Sequence, residues 1–183
     1  ATTNHLTIET SGNLNTFLGA NAGRSDTNGF YNTAMGYNAF LSNTTGSDNT
    51  AMGYQALYSN ISGGSNTAMG VSALYANLTG TGNTAMGIYA LYWNTGSYNT
   101  AIGYNALQYN TTGTSNTAVG MSALRYNESA TSSVAVGYQA GQGPASYYNA
   151  GELTIVGTEA LYNITTGAED NTALGYRAGY NVN

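Results

Sequence analysis

An apolar residue followed by glycine returns along almost the whole chain, at Gly19, Gly36, Gly53, Gly70, Gly87, Gly103, Gly120, Gly137, Gly157 and Gly175. The successive steps are 17, 17, 17, 17, 16, 17, 17, 20 and 18 residues. Two residues before the apolar position stands Thr, replaced once by Val134. Three residues after each glycine stands Ala, usually followed by Leu, and then a run of Asn, Thr, Gly and Ser. Thr, Ala and an apolar residue in succession have the period of a strand, which puts Thr and the apolar residue on one face. A glycine in every unit and a β-branched Thr beside it exclude a helix. The Asn, Thr, Gly and Ser run marks turns.

A unit of this length is too short for a helix pair or a propeller blade, and it fits two short strands and two turns, one coil of a β-solenoid. The expected fold is all-β: a parallel solenoid of about ten coils over residues 15–183, with a lead-in or cap at 1–14 and an irregular longer coil near 138–157. Stacked at strand spacing, ten coils make a rod on the order of 48 Å long, with identical residues above one another and asparagines in amide ladders. The larger side chains are expected inside: Met35, Met52, Met69, Met86, Ile102, Val119, Val136, Val156 and Leu174 as core, with Thr beside them. The small column Ala34, Ala51, Ala68, Ala85, Ala101, Ala118 and Ala135 then faces outward, suited to close contact with another subunit. Tyr37, Tyr54, Tyr104, Tyr138 and Tyr176, just after the glycine, are expected in the same layer. A coil this thin buries little apolar surface alone, so the pattern predicts an oligomer.

Composition sharpens this picture. Only 6% of the 183 residues are charged, against roughly 25% in ordinary domains. Three arginines and a net charge of -5 cannot neutralise a phosphate backbone, which argues against nucleic acid as a partner. No apolar run approaches the roughly 18 residues of a membrane span, so no direct membrane insertion is expected. Zero cysteines fits the cytosol and equally a long extracellular fibre stabilised by repetition, and low charge with high Gly, Asn, Thr and Tyr favours the fibre. The chain, starting without Met, reads as a mature product or a piece of something longer.

The segment Ser132–Gly143, SSVAVGYQAGQG, resembles the head repeat of trimeric autotransporter adhesins of the YadA-like type. The version NTAMGYQAL resembles repeats of related adhesins and of phage tail fibres. The resemblance runs through nearly the whole chain by Ala-apolar-Gly-x-x-Ala. It implies a left-handed β-roll, three of which pack side by side as a homotrimer. Family repeats are shorter, so the additional residues here should lengthen one turn of each coil. Thr replaces the usual Val, and no anchor, stalk or chaperone segment is visible.

Candidate chemistry is sparse. Asn43, Asn60, Asn77, Asn110, Asn127 and Asn163 head Asn-x-Thr/Ser sequons, which are either glycosylation sites or good turns. Asn94 keeps the turn without the sequon, which favours the second. Tyr58, Tyr75, Tyr92, Trp93, Tyr109 and Tyr126 form an aromatic stripe suited to carbohydrate or protein recognition, or to packing on itself. The irregular coil, with GQGP and with Tyr147 and Tyr148, is expected as a bulged loop that could carry something specific. His5 is the only histidine, and the acids do not recur in register, so neither a metal, a cofactor nor acid–base catalysis is expected.

The sequence therefore points to a structural and adhesive segment of an extracellular trimeric fibre, on a cell surface or a virion tail, whose partner is a host surface protein or glycan. An ice-binding solenoid is the competing class, and an outward, flat Thr column is the observation that would favour it. A glycan-coated filament is the third.

Overall fold

The computed structural model describes residues 6–8, 13–144 and 148–181. Among the described residues, eleven three-residue strands form one sheet: β1 Leu6–Ile8, β2 Thr16–Leu18, β3 Thr33–Met35, β4 Thr50–Met52, β5 Thr67–Met69, β6 Thr84–Met86, β7 Thr100–Ile102, β8 Thr117–Val119, β9 Val134–Val136, β10 Thr154–Val156 and β11 Thr172–Leu174. From β2 to β11 each strand pairs in parallel with the next in the chain, and from β3 to β8 Thr stands on Thr and Ala on Ala, as in Thr50↔Thr67 and Ala51↔Ala68, while Phe17, Val134 and Ile155 interrupt the columns nearer the ends. β1 pairs antiparallel with β2, the one reversal at the start of the rod. The protein is a β-solenoid of about 17 residues per turn, with no helix among the described residues.

Each coil has one formal strand. The second wall, expected as a strand, is a run of turns in which two residues adopt left-handed backbone, such as Gln55 (φ 54°) and Leu57 (φ 49°). Coil-to-coil hydrogen bonds continue through it, with the Leu57 amide donating to the Ala73 carbonyl at 2.9 Å. A left-handed leucine costs about 1–2 kcal/mol, and full burial of its side chain returns about 1.5–3 kcal/mol. Burial wins, and Leu57, Leu74, Leu91, Leu107 and Leu124 are all fully buried. The corner glycine is forced by approach as well as by φ. At Gly53 (φ +136°) a Cβ would lie 2.5 Å from the Gly70 carbonyl oxygen of the next coil.

The interior is the reverse of the expected one. Ala51, Ala68, Ala85, Ala101, Ala118 and Ala135 are fully buried and Ala34 nearly so, and they line the core instead of a subunit contact. Met35, Met69, Met86, Ile102, Val136, Val156 and Leu174 are exposed, and Met52 and Val119 are half-buried, so this column is no core. The reason is volume. The strand faces the buried Ala56–Leu57 wall across one thin coil, and only a methyl fits between them.

Two buried asparagine ladders fill the rest. In the first, the column Asn32, Asn49, Asn66 precedes the strand: the Asn49 amide donates to Asn32 Oδ1 (3.0 Å) and Asn49 Nδ2 to the Gly63 carbonyl (2.9 Å). In the second, Asn60 Nδ2 donates to Asn43 Oδ1 (2.8 Å) and to the same Gly63 carbonyl (3.0 Å). A glycine carbonyl ties the two ladders together in the same way at Gly46, Gly80, Gly96 and Gly113. Toward the C-terminus the second ladder ends, and Tyr148 and Ile164 bring apolar bulk into the core there.

Candidate functional site

Three outer surfaces remain once the core is assigned. The first is the face of the strands. Thr stands outward beside the apolar column, and the residue after each corner glycine joins it: Tyr37, Tyr54, Val71, Ile88, Tyr104, Met121 and Tyr138 are all exposed. Met69 is 36% exposed and Leu174 77%, while Met52 and Val119 are half-buried. Side chains of this size and exposure sum to an apolar surface on the order of 1,000 Å², well above the few hundred Å² a monomer ordinarily shows. Neighbouring rings stack along it, as with Tyr37 over Tyr54 at 5.6 Å and 10°. The Tyr column was expected outward in one layer with the Ala column; it is exposed, but it lies beside Thr and the apolar residues, because the Ala column is buried. The Thr and Met columns were expected inside.

The second surface is the aromatic stripe. Tyr58, Tyr75 and Tyr92 stack in one column, with centroids 5.0 and 4.9 Å apart and planes within 5°. At the next coil the aromatics change column. Gln108 and Arg125 continue the first, joined by an Arg125 Nε to Gln108 Oε1 bond of 2.9 Å. Trp93, Tyr109 and Tyr126 occupy the second, where the preceding coils carry Ser59 and Ala76. Trp93 stands edge-on to Tyr92 (4.9 Å, 82°) and is 46% exposed, while Tyr109 stacks on Tyr126 at 5.4 Å. Burial, with a smaller electrostatic contribution from the Tyr75 and Tyr89 hydroxyls, raises the Tyr92 hydroxyl pKa above its ordinary value.

The change of column opens a groove of about 500 Å³. One wall is Ser59, Ala76, Trp93 and Tyr109, and the other is Leu78, Thr95, Thr111 and Glu128, the residues that follow the buried asparagines. The coil from Gly87 to Gly103 is one residue short, and the loss falls in this second wall. There Asn94 Nδ2 reaches Gly96, two residues on, where Asn77 reaches Gly80, three on. Sequence reasoning found the aromatic wall and missed the other. The 16-residue step was the signal that could have located it.

The third surface is acidic. Glu152, Glu169 and Asp170 border an open depression with Thr131 and Asn149. A hydrogen bond donated by the Glu152 carboxyl to Asp170, and the charge of Asp170, hold the Glu152 carboxyl above the usual carboxylate range. Among the described residues no three His, Cys, Asp or Glu side chains are placed to hold a metal ion, and no helix is long and apolar enough to cross a membrane.

The sequons resolve into structure. Asn43, Asn60, Asn77, Asn110 and Asn127 are fully buried with their Nδ2 groups donating inside the coil, so they are ladder rungs and present no amide to a glycan. Asn163 is half-buried, and its Nδ2 donates to Asn181 Oδ1 at 2.7 Å. Tyr148, expected on the surface, is buried, and its hydroxyl donates to the Gly141 carbonyl. Burial raises its pKa. The glycines of GQGP make room for it, since a Cβ on Gly143 would meet the Tyr148 ring. His5 and Tyr147 lie outside the described residues.

Comparisons of the chain with protein-family models, with curated proteins and with solved structures return no match.

Proposed function

We propose that the chain is a shaft or head segment of an extracellular fibre, in which copies pack side by side as a homotrimer through the Thr–apolar face and present the aromatic stripe outward. The exposed apolar face carries this reading. It follows the strands from coil to coil in register, and its apolar side chains gain about 25 cal/mol per Å² on being covered. A second copy of the same rod matches its length and its repeat, so a closed rotational assembly covers it on every subunit. The resemblance to adhesin and tail-fibre repeats supports three subunits and an attachment role. Projected on a stiff rod, weak contacts gain strength from number.

The test is the native mass in solution, by light scattering or native mass spectrometry. The expected mass is three chains, and substituting Met69→Glu together with Ile102→Glu should give a folded monomer, because both side chains are exposed on the single chain. A stable wild-type monomer overturns the reading.

The outward Thr column favours one other class, an ice-binding surface. Thr33, Thr50, Thr67, Thr84, Thr100 and Thr117 stand in register on adjacent parallel strands. The column beside them is Met, Ile and Val, larger and without hydroxyls, which fits a protein partner better than a lattice. Thermal hysteresis in the wild-type chain, absent from Thr67→Val with Thr84→Val, would support the ice reading instead.

A further inference from the structure

We infer that the groove beside Trp93 is a saccharide-binding site that takes a neutral or amino-bearing pyranose ring. The inference deepens the attachment reading, and rests on it only for the number of sites per fibre.

The groove selects its occupant by what its walls offer. Trp93 presents a rigid, half-exposed ring over the small side chains of Ser59 and Ala76, leaving room for one flat apolar face. Opposite, the Thr95 hydroxyl donates to the Thr111 carbonyl (2.6 Å) and the Thr111 hydroxyl to the Glu128 carbonyl (3.2 Å). With their protons committed to the fold, these hydroxyls and the Glu128 carboxylate present acceptors. The occupant must therefore bring donors along one edge and an apolar face on the other. A pyranose does both, with C–H groups on its face and O–H groups on its rim. No lining side chain is cationic, and a net charge of -5 disfavours an anionic sugar.

A peptide fits less well. The backbone of both walls is already paired from coil to coil: the Trp93 amide donates to Gln108 (3.1 Å), Thr95 to Thr111 (2.7 Å) and Thr111 to Glu128 (2.8 Å). No strand edge is left for a peptide to extend. The groove volume of about 500 Å³ lies within the range of small-ligand sites.

Trp93 is the only tryptophan, so its fluorescence reports this groove alone. The wild-type chain is titrated with methyl glycosides of glucose, galactose, mannose, N-acetylglucosamine and glucosamine, and with a lysine-bearing peptide. Saturation-transfer NMR serves as the second readout. At least one glycoside should shift the emission saturably. Ala76→Tyr, which extends the aromatic column into the groove, should abolish the shift with the solenoid's circular dichroism unchanged. Trp93→Ala should weaken binding roughly tenfold by NMR, and Tyr162→Ala, whose ring stacks on Tyr180 away from the groove, should leave it unaltered. No saturable shift with any glycoside overturns the proposal. So does a response to the peptide alone, or full binding by Ala76→Tyr. Chain mass measured on the same samples separates failure here from failure of the trimer, since neither Ala76 nor Trp93 lies on the Thr–apolar face.

Discussion

At the scale of single residues, the decisive quantity is side-chain volume rather than hydrophobicity. Period two correctly puts Thr and Met on one face and Ala on the other, but it does not say which face is inside. Met is the more apolar choice, yet a coil closed by Ala56 and Leu57 has room only for Ala51. A clue was present in the sequence. Asn49 and Ala51 share parity, and a buried ladder of asparagines places both inward. The internal copies also differ more at the Met column than at the Ala column, as expected where space is loose. The asparagines themselves are load carriers of a specific kind. Asn60→Ala removes the two buried hydrogen bonds donated by Asn60 Nδ2 and leaves Asn77 Nδ2 with the Gly80 carbonyl alone. A loss of about 2–4 kcal/mol is expected by denaturant titration. Asn163→Ala, at a half-buried site, should stay within about 0.5 kcal/mol. Equal losses at the two positions would contradict the ladder account.

At the scale of the element, each coil is a strand, a glycine corner, a left-handed wall and an asparagine turn. The strand and the turns were legible because Thr-x-apolar alternation and Asn-Thr-Gly runs are local signals. The wall was not, because its leucines take a backbone conformation that only neighbouring coils make favourable. The corner gives a clean test of that coupling. Gly70 and Gly175 both have positive φ, but a Cβ at Gly70 would lie 2.6 Å from the Gly87 carbonyl oxygen, whereas at Gly175 nothing lies within 4 Å. Gly175→Ala should therefore cost only the backbone strain, about 1–3 kcal/mol, and Gly70→Ala clearly more, because the next coil must also move. Thermal melting of the two variants measures the difference, and near-equal melting temperatures would remove the stacking argument.

At the scale of the whole molecule, coils touch only their neighbours, so stability is a local sum along the rod and its two ends need not behave alike. The ladder-rich middle carries no titrating group in its core. The C-terminal coils carry Glu152, Glu169 and Asp170 around one depression, with Asp170 bonded to Glu152. The sequence displayed these acids but not their meeting, since Glu152 and Asp170 come together only because the 20-residue coil and the next one stack. Raising the Glu152 pKa in the folded chain means that the fold binds its proton more tightly than the unfolded chain does. The resulting stabilisation is complete below the ordinary value of 4.5 and is lost as pH rises through the raised value. Hydrogen exchange of the Gly151–Asn171 amides should therefore slow, after correction for the intrinsic rate, as pH falls from about 7 to 4. The amides of the middle coils should keep their protection over the same range. Glu152→Gln holds a permanent neutral partner for Asp170 and should flatten the C-terminal dependence while matching the wild type at the acid end. A dependence that survives Glu152→Gln would assign the effect to other acids, and one shared by all coils would contradict local stability in the rod.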